Sequence, residues 1–429
     1  MVKDNLSEKP WLKLIDKQKK STYNTFLRFK MKKFVGTVSR GLIAPIIREG
    51  DDIASIAAET LLNAAKAENF TIKDRDILSV TESIVARAQG NYATADDIAA
   101  DIKAKFGNSC IGLIFPILSR NRFAVCLEGI ARSKNKLIIM LSYPSDEVGN
   151  HLIDPDVFED SDVNPWTNSF TREEFRSKFG DHKHKFTGMD YIEYYDSIIK
   201  KHNPESFVIL SNDPKKIIEY TDSVLACDIH TRNRTKKLLK KAGAKIVLGL
   251  DDILSSPVNG SGFNSDYGLL GSNKSGEDRI KLFPQNAQVI VDKIQAIIKE
   301  KTGKTIEVMV YGDGAFKDPI GKIWELADPV VSPAYTKGLE GRPNEVKLKY
   351  LADNNFKDLN EEEQKKKIAE YIEKHQKETA SHIDSMESQG TTPRRLIDLI
   401  GSLSDLTSGS GDKGTPIIFI QGYFDKYTG

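Results

Sequence analysis

The chain has 429 residues, too many for one average core and enough for two or three domains. Its 62 basic and 61 acidic side chains leave a formal net charge of +1, which excludes any global electrostatic reason to expect nucleic acid or an anionic membrane as the main partner. Three widely spaced cysteines, Cys110, Cys126 and Cys227, form no CxxC pair, so neither a disulfide framework nor a cysteine zinc site is indicated. No apolar run approaches the roughly 18 residues of a spanning helix, and the N-terminus lacks the apolar core of a signal peptide, so the sequence predicts a cytoplasmic protein.

Residues 1–36 hold ten basic and three acidic residues, with Trp11, Phe26, Phe29 and Phe34 interleaved. Such a segment can touch a membrane surface or RNA, but a solvated tail or a helix packed on its own domain is the commoner origin. From Val35 the pattern reads as strand, turn and helix. Leu42 to Ile47 is apolar around Pro45, and Glu49-Gly50-Asp51-Asp52 opens an alanine-rich segment with apolar groups on one helical face. Asp51 and Asp52 then sit at the positive end of that helix, which makes them caps.

Ile77 to Val80 predicts a short strand whose end carries Thr81, Glu82 and Ser83. Arg87, four residues beyond Ser83, can return on the same helical face as a phosphate-binding cation, and a capped helix would look the same. Asp96 to Phe106 is an amphipathic helix, and Ile111 to Leu118 a buried apolar run. In the middle, Lys136–Leu141 and Phe207–Leu210 read as strands, with Lys236–Ala242 and Lys245–Leu250 as helix and strand. His182 and His184 alternate in a charged loop, where a solvated loop outweighs a metal site. Asp228, His230 and Arg232 form a second polar strand end, with a structural role favoured over an acidic-substrate grip.

Toward the C-terminus, Ala287 to Thr302 predicts an amphipathic helix, and Ile306 to Tyr311 a strand that empties into Gly312-Asp313-Gly314 and Lys317-Asp318-Pro319. Two glycines at a strand end let amides and a carboxylate approach a ligand, and Asp313 and Asp318 suit a hard cation beside phosphates, although Gly-Asp-Gly is also ordinary turn chemistry. Glu361 to Glu387 reads as a long charged helix. In Gly409-Ser410-Gly411-Asp412-Lys413-Gly414-Thr415-Pro416, ahead of the strand Ile417–Ile420, free amides and Lys413 can cradle phosphate oxygens, as a flexible linker would also read.

Taken together, these blocks resemble the gamma-glutamyl ligase family of the deazaflavin coenzyme F-420 (CofE-like). The resemblance rests on Leu42 to Ile47, Glu49 to Asp52, Asp74 to Gly90, Gly262 to Asn273, the helix and strand before Gly312, and G-x-G-x-x-G-x-P at Gly409 to Pro416, all in the family's order. It implies a mixed α/β (α+β) CofE-like ligase fold and an intertwined homodimer. It also implies four parts: a basic N-terminal segment (1–36), a ligase domain in two pieces (37–119 and 261–429), and an inserted α/β lobe (120–260).

By position the resemblance implies nucleotide contacts at Ala44, Pro45, Ile46, Ile47, Glu82, Ser83, Arg87, Asn273 and Gly409, Ser410, Gly411, Asp412, Lys413 and Gly414. It implies metal held by Asp313, with Asp318, Asp266 and Asp412 as companions, and Lys317 standing in for a family arginine. The sequence departs from the family in several places: Glu82-Ser83 replaces Ser-Thr, Arg87 replaces a lysine, Leu270 falls on a metal-binding aspartate, the hydroxyl and the Gly-Arg that follow Asp313 in the family are absent, and the loop's acid falls on Ser410. The implied activity is amide ligation, in which GTP or ATP with Mg²⁺ or Mn²⁺ activates an unknown carboxylate acceptor for L-glutamate, with no nucleic acid or membrane partner. A metal-dependent phosphotransferase and a non-catalytic nucleotide-binding scaffold are the alternatives.

Overall fold

The computed structural model describes residues 35–120, 122–185, 187–312, 315–317, 324–326, 332–341, 348–377, 395–409 and 414–425. Contacts divide the chain into two compact units, one of Ser39–Glu345 with Gly390–Gln421, the other of Met1–Val38, Val346–Gln389 and Gly422–Gly429. In the second, the helix Glu361–Lys377 is tied to the turn before it by Gln364, whose amide donates to the carbonyls of Ala352 and Phe356. The predicted continuation of this helix to Glu387 lies outside the described residues.

In the larger unit, the helix Ile53–Ala67 starts at Asp52, whose carboxylate accepts from the amide of Ser55 at 3.4 Å and its hydroxyl at 2.8 Å. Ile53, Ala54, Ala57, Ala58 and Leu61 then share one buried face. That face and the Val291, Ile294 and Ile298 side of the helix Ala287–Thr302 share one apolar cluster with a five-stranded sheet. The sheet order is β1 (Val38–Leu42), β16 (Ile417–Gln421), β2 (Ile77–Thr81), β12 (Glu307–Tyr311), β15 (Ala334–Tyr335). Strands β2 and β12 are parallel, while β16 runs antiparallel to β2 and β15 to β12.

The family resemblance makes Leu42–Ile47 a leading apolar-Pro-apolar strand, and the structure corrects this: β1 ends at Leu42. Pro45 has no amide to give a ladder, Ile43 and Ile46 are exposed, and beyond Leu42 only Ala44 and Ile47 of the stretch pack on the core, Ala44 only partly buried. Beside this sheet, β10 (Asn273–Lys274), β11 (Arg279–Lys281) and β3 (Tyr92–Thr94) form a small antiparallel sheet, and β13 (Ala315–Lys317) pairs with β14 (Trp324–Leu326).

The central lobe is a six-stranded sheet in the order β6 (Ser169–Thr171), β7 (Phe207–Ser211), β5 (Leu137–Leu141), β4 (Ile111–Ile114), β8 (Ser223–Ala226), β9 (Ile246–Gly249). All but β6 are parallel. Counted from β4, the order is three-two-one-four-five, that of doubly wound nucleotide-binding folds. Its central strands are buried on both faces, which is why Leu137-Ile138-Ile139-Met140-Leu141 is unbroken apolar sequence. The sheet takes in Ile111–Ile114, ahead of the lobe boundary read at 120, because β4 is its middle strand. The fold as a whole is mixed α/β.

Candidate functional site

Strands β2 and β12 run in register and stop together, so Thr81 and Tyr311 mark a common sheet edge. Antiparallel β16 starts at the same edge. The amide of Thr81 donates to the carbonyl of Pro416 at 3.0 Å, and the amide of Ala44 donates to the carbonyl of Gly414 at 3.1 Å. Residues 44, 81–83, 311–312 and 414–416, far apart in sequence, thus meet along one edge. The hydroxyl of Thr415 donates to the carbonyl of Ser408 at 2.7 Å, which draws together the two feet of the glycine-rich loop. Gly409 and Gly414 hold those feet with φ of 65° and 64°, a backbone that favours glycine.

Glu82 opens the helix Glu82–Ala88 directly after β2 and is buried at 5 % exposure. Its Oε1 accepts from Nζ of Lys281, itself 7 % exposed, at 3.0 Å. Lys281 ends β11 and lies opposite Asn273 of β10. The structure therefore brings Glu82 and Lys281 into contact, with Asn273 one strand away. Ser83 is half-buried beside Glu82, whereas Arg87 is exposed in the last turn, at the far end of this short helix. Lys281 was not singled out from sequence, yet two signals pointed to it: a lone base in the run Ile280 to Pro284, and an unusual acid at 82.

Asp266 is exposed, and its amide donates to the Asn264 side chain at 2.9 Å. Leu270 is 6 % exposed within the lobe's apolar cluster, so a carboxylate there would be buried among Leu269, Leu282 and their neighbours. Asn91, also missed, is the clamp for this segment: its side chain bonds Phe263 and the carbonyl of Phe283. Asp313, Asp318, Ser410, Gly411, Asp412 and Lys413 lie outside the described residues, and Lys317 is placed only as the last residue of β13.

The polar strand end of the lobe is structural. One oxygen of the Asp228 carboxylate accepts from the hydroxyls of Thr231 and Thr235 at 2.6 and 2.7 Å, and Arg232 pairs with Asp251 at 2.9 Å. Glu147 accepts from the amides of Ile229 and His230, and burial, with Asp228 close by, pushes its carboxyl above the usual range. His182 bonds the carbonyl of Phe179 and His184 the amide of Thr187, as loop histidines do. Among the described residues no group of three or more His, Cys, Asp or Glu side chains is gathered to hold a metal. No described helix is long and apolar enough to cross a membrane.

Comparison with known proteins agrees with the motif order. No curated protein matches the chain. The family described as F420-0:Gamma-glutamyl ligase matches over residues 41–422, which spans the sheet edge, the lobe and the C-terminal strand. That match takes in most of the polypeptide and makes it a ligase-family enzyme, with glutamate as the substrate the family suggests; the chain belongs to the F420-0:gamma-glutamyl ligase family.

Proposed function

We propose that the protein joins the amino group of L-glutamate to a carboxylate acceptor, with GTP or ATP activating that carboxylate. The acceptor oxygen attacks the terminal phosphorus and a nucleoside diphosphate leaves. The glutamate amine then attacks the acyl phosphate carbon, an amide bond forms, and phosphate departs. The observation that supports this is the convergence of Ala44, Thr81–Ser83, Gly312 and Gly414–Pro416 at one sheet edge. Strand ends with open backbone suit a triphosphate, whose transfer needs positioning and charge compensation rather than a protein nucleophile.

In this reading the amides of Gly409 to Gly414 and Lys413 take phosphate oxygens, Ala44 to Ile47 line the base, and Ser83, Arg87 and Asn273 orient the nucleotide. Asp313, with Asp318, Asp266 and Asp412, would hold Mg²⁺ or Mn²⁺: the set is all carboxylate oxygen, the donor these hard ions take, and Asp266 is exposed and able to turn. The ion would offset charge on the transferred phosphoryl group. Lys317 would supply the positive charge of the family's arginine. The family's homodimer is the assembly we assign, tested by light scattering.

Phosphate release in the presence of nucleotide, Mg²⁺ or Mn²⁺ and a metabolite extract tests the reading. Release that requires added L-glutamate is the expected result. Nucleoside diphosphate formed without glutamate, with the phosphoryl group retained on an acceptor and no free phosphate released, would make the protein a phosphotransferase instead.

A further inference from the structure

A buried lysine–glutamate pair is usually a structural device, but the one at this edge is incompletely satisfied. An ammonium carries three N–H donors. Among the described residues, that of Lys281 makes a single hydrogen bond, to Oε1 of Glu82, although the side chain is only 9 % exposed. Buried donors in native proteins find partners, so the two N–H groups that Glu82 does not use can take an acceptor that enters the site. The contact atom is on Glu82, the residue that directly follows Thr81 at the edge where β12 ends in Gly312 and the glycine-rich loop returns. Asn273 stands opposite Lys281 in the neighbouring strand.

Charge gives the acceptor its class. Glu82 places an anion where a triphosphate would approach, and an uncompensated carboxylate there would repel it. Lys281 cancels that charge and keeps donors to spare. We infer that Lys281 is a phosphate-binding residue of the nucleotide site, shared between Glu82 and the oxygens of a nucleoside triphosphate. The inference rests on the nucleotide-dependent reading above and adds a residue that the family pattern does not assign.

The test uses the full chain with Mg²⁺ and two probes, the non-hydrolysable β,γ-imido analogue of GTP or ATP and the matching nucleoside monophosphate, measured by calorimetry. The variant Glu82→Gln/Lys281→Met removes both charges at once, so it keeps a melting temperature close to wild type. Its affinity for the imido triphosphate falls about tenfold or more while monophosphate affinity holds, as expected for loss of charge-assisted bonds to the outer phosphates. Glu82→Gln alone, which removes the carboxylate charge and leaves the Lys281 ammonium uncompensated, binds the triphosphate more tightly than wild type. A merely structural pair produces neither result.

Wild-type triphosphate affinity in the double variant, or an equal loss for both probes, overturns the role of Lys281 and leaves the nucleotide reading standing. A wild-type protein that binds neither GTP nor ATP analogue overturns both.

Discussion

The amide of Ala44 donates a 3.1 Å hydrogen bond to the carbonyl oxygen of Gly414, joining the segment after the first strand to the last glycine of the C-terminal loop. With Thr81 bonded to Pro416 in the same way, the opening and the end of the family match are held to one sheet edge. The account predicts that loosening this tie loosens the nucleotide. Gly414 has φ of 64°, and among the described residues no atom lies within 4 Å of where a Cβ would stand. Gly414→Ala therefore costs backbone strain alone, about 1 kcal/mol, and weakens triphosphate binding without unfolding the protein. Chemical denaturation and calorimetry check the two parts separately.

The buried pair sets a stability cycle. Lys281→Met leaves the Glu82 carboxylate buried without its ammonium and is predicted to destabilise by about 3–5 kcal/mol. Adding Glu82→Gln recovers most of that loss, because the pair's attraction only offsets its desolvation. Urea denaturation of the two single variants and the double one reads the coupling; simple additivity would mean that the two side chains are not a pair in solution.

At the helix Ile53–Ala67, the Lys293 ammonium 2.7 Å away and the Ser55 hydroxyl hold the Asp52 carboxyl down at about 2. A depressed folded-state value stabilises above the unfolded value near 3.8, and that stability drains away as pH falls toward 2. Asp52 is half exposed, so screening trims the effect to about 0.5–1 kcal/mol. Asp52→Asn keeps the cap and removes the charge; its melting temperature should trail wild type at pH 6 and converge with it by pH 2. A constant gap across that range would show that the charge contributes nothing.

The cysteines should be inert. Burial pushes the Cys126 thiol up to about 11 and the Cys227 thiol well above its usual value, and it also raises Cys110, which is only half-buried. Thiolate is the reactive form, so iodoacetamide at pH 8 should leave Cys126 and Cys227 unlabelled in the native protein and label all three after denaturation. Mass spectrometry of tryptic peptides reads this; rapid native labelling of Cys227 would contradict its placement beside the lobe sheet.

Local pattern carried the elements that local chemistry decides. The helix over Ala287–Thr302 was legible to the residue, because its apolar spacing runs into Gly303, which stops it at φ of 69°. The strands Ile77–Thr81, Leu137–Leu141 and Glu307–Tyr311 were legible from apolar runs that end in polar or glycine residues. Long-range partners were not. That β4 is the middle of the lobe's sheet depends on strands up to Gly249, and Ile111 to Leu118 reads as one run although the strand stops at Ile114, before Phe115 with φ of 54°.

The site divides along the same line. The glycine-rich loop and the strand before Gly312 were visible as motifs, whereas Lys281 was hidden because its partner lies on another element 199 residues away in sequence. The departures at 82 and 270 were visible as departures, but their reasons were not. Glu82 is balanced by Lys281, and Leu270 is taken up by the apolar core of a lobe whose packing only the fold reveals.

The most direct measurement of the central claim supplies isotope-labelled L-glutamate, GTP or ATP and Mg²⁺ or Mn²⁺ to the purified protein with a metabolite extract, and searches by mass for a labelled product. The account predicts an acceptor enlarged by one glutamyl unit, formed together with nucleoside diphosphate, and lost in Asp313→Ala. Nucleotide consumption without any labelled product, or the same product from Asp313→Ala, would contradict it.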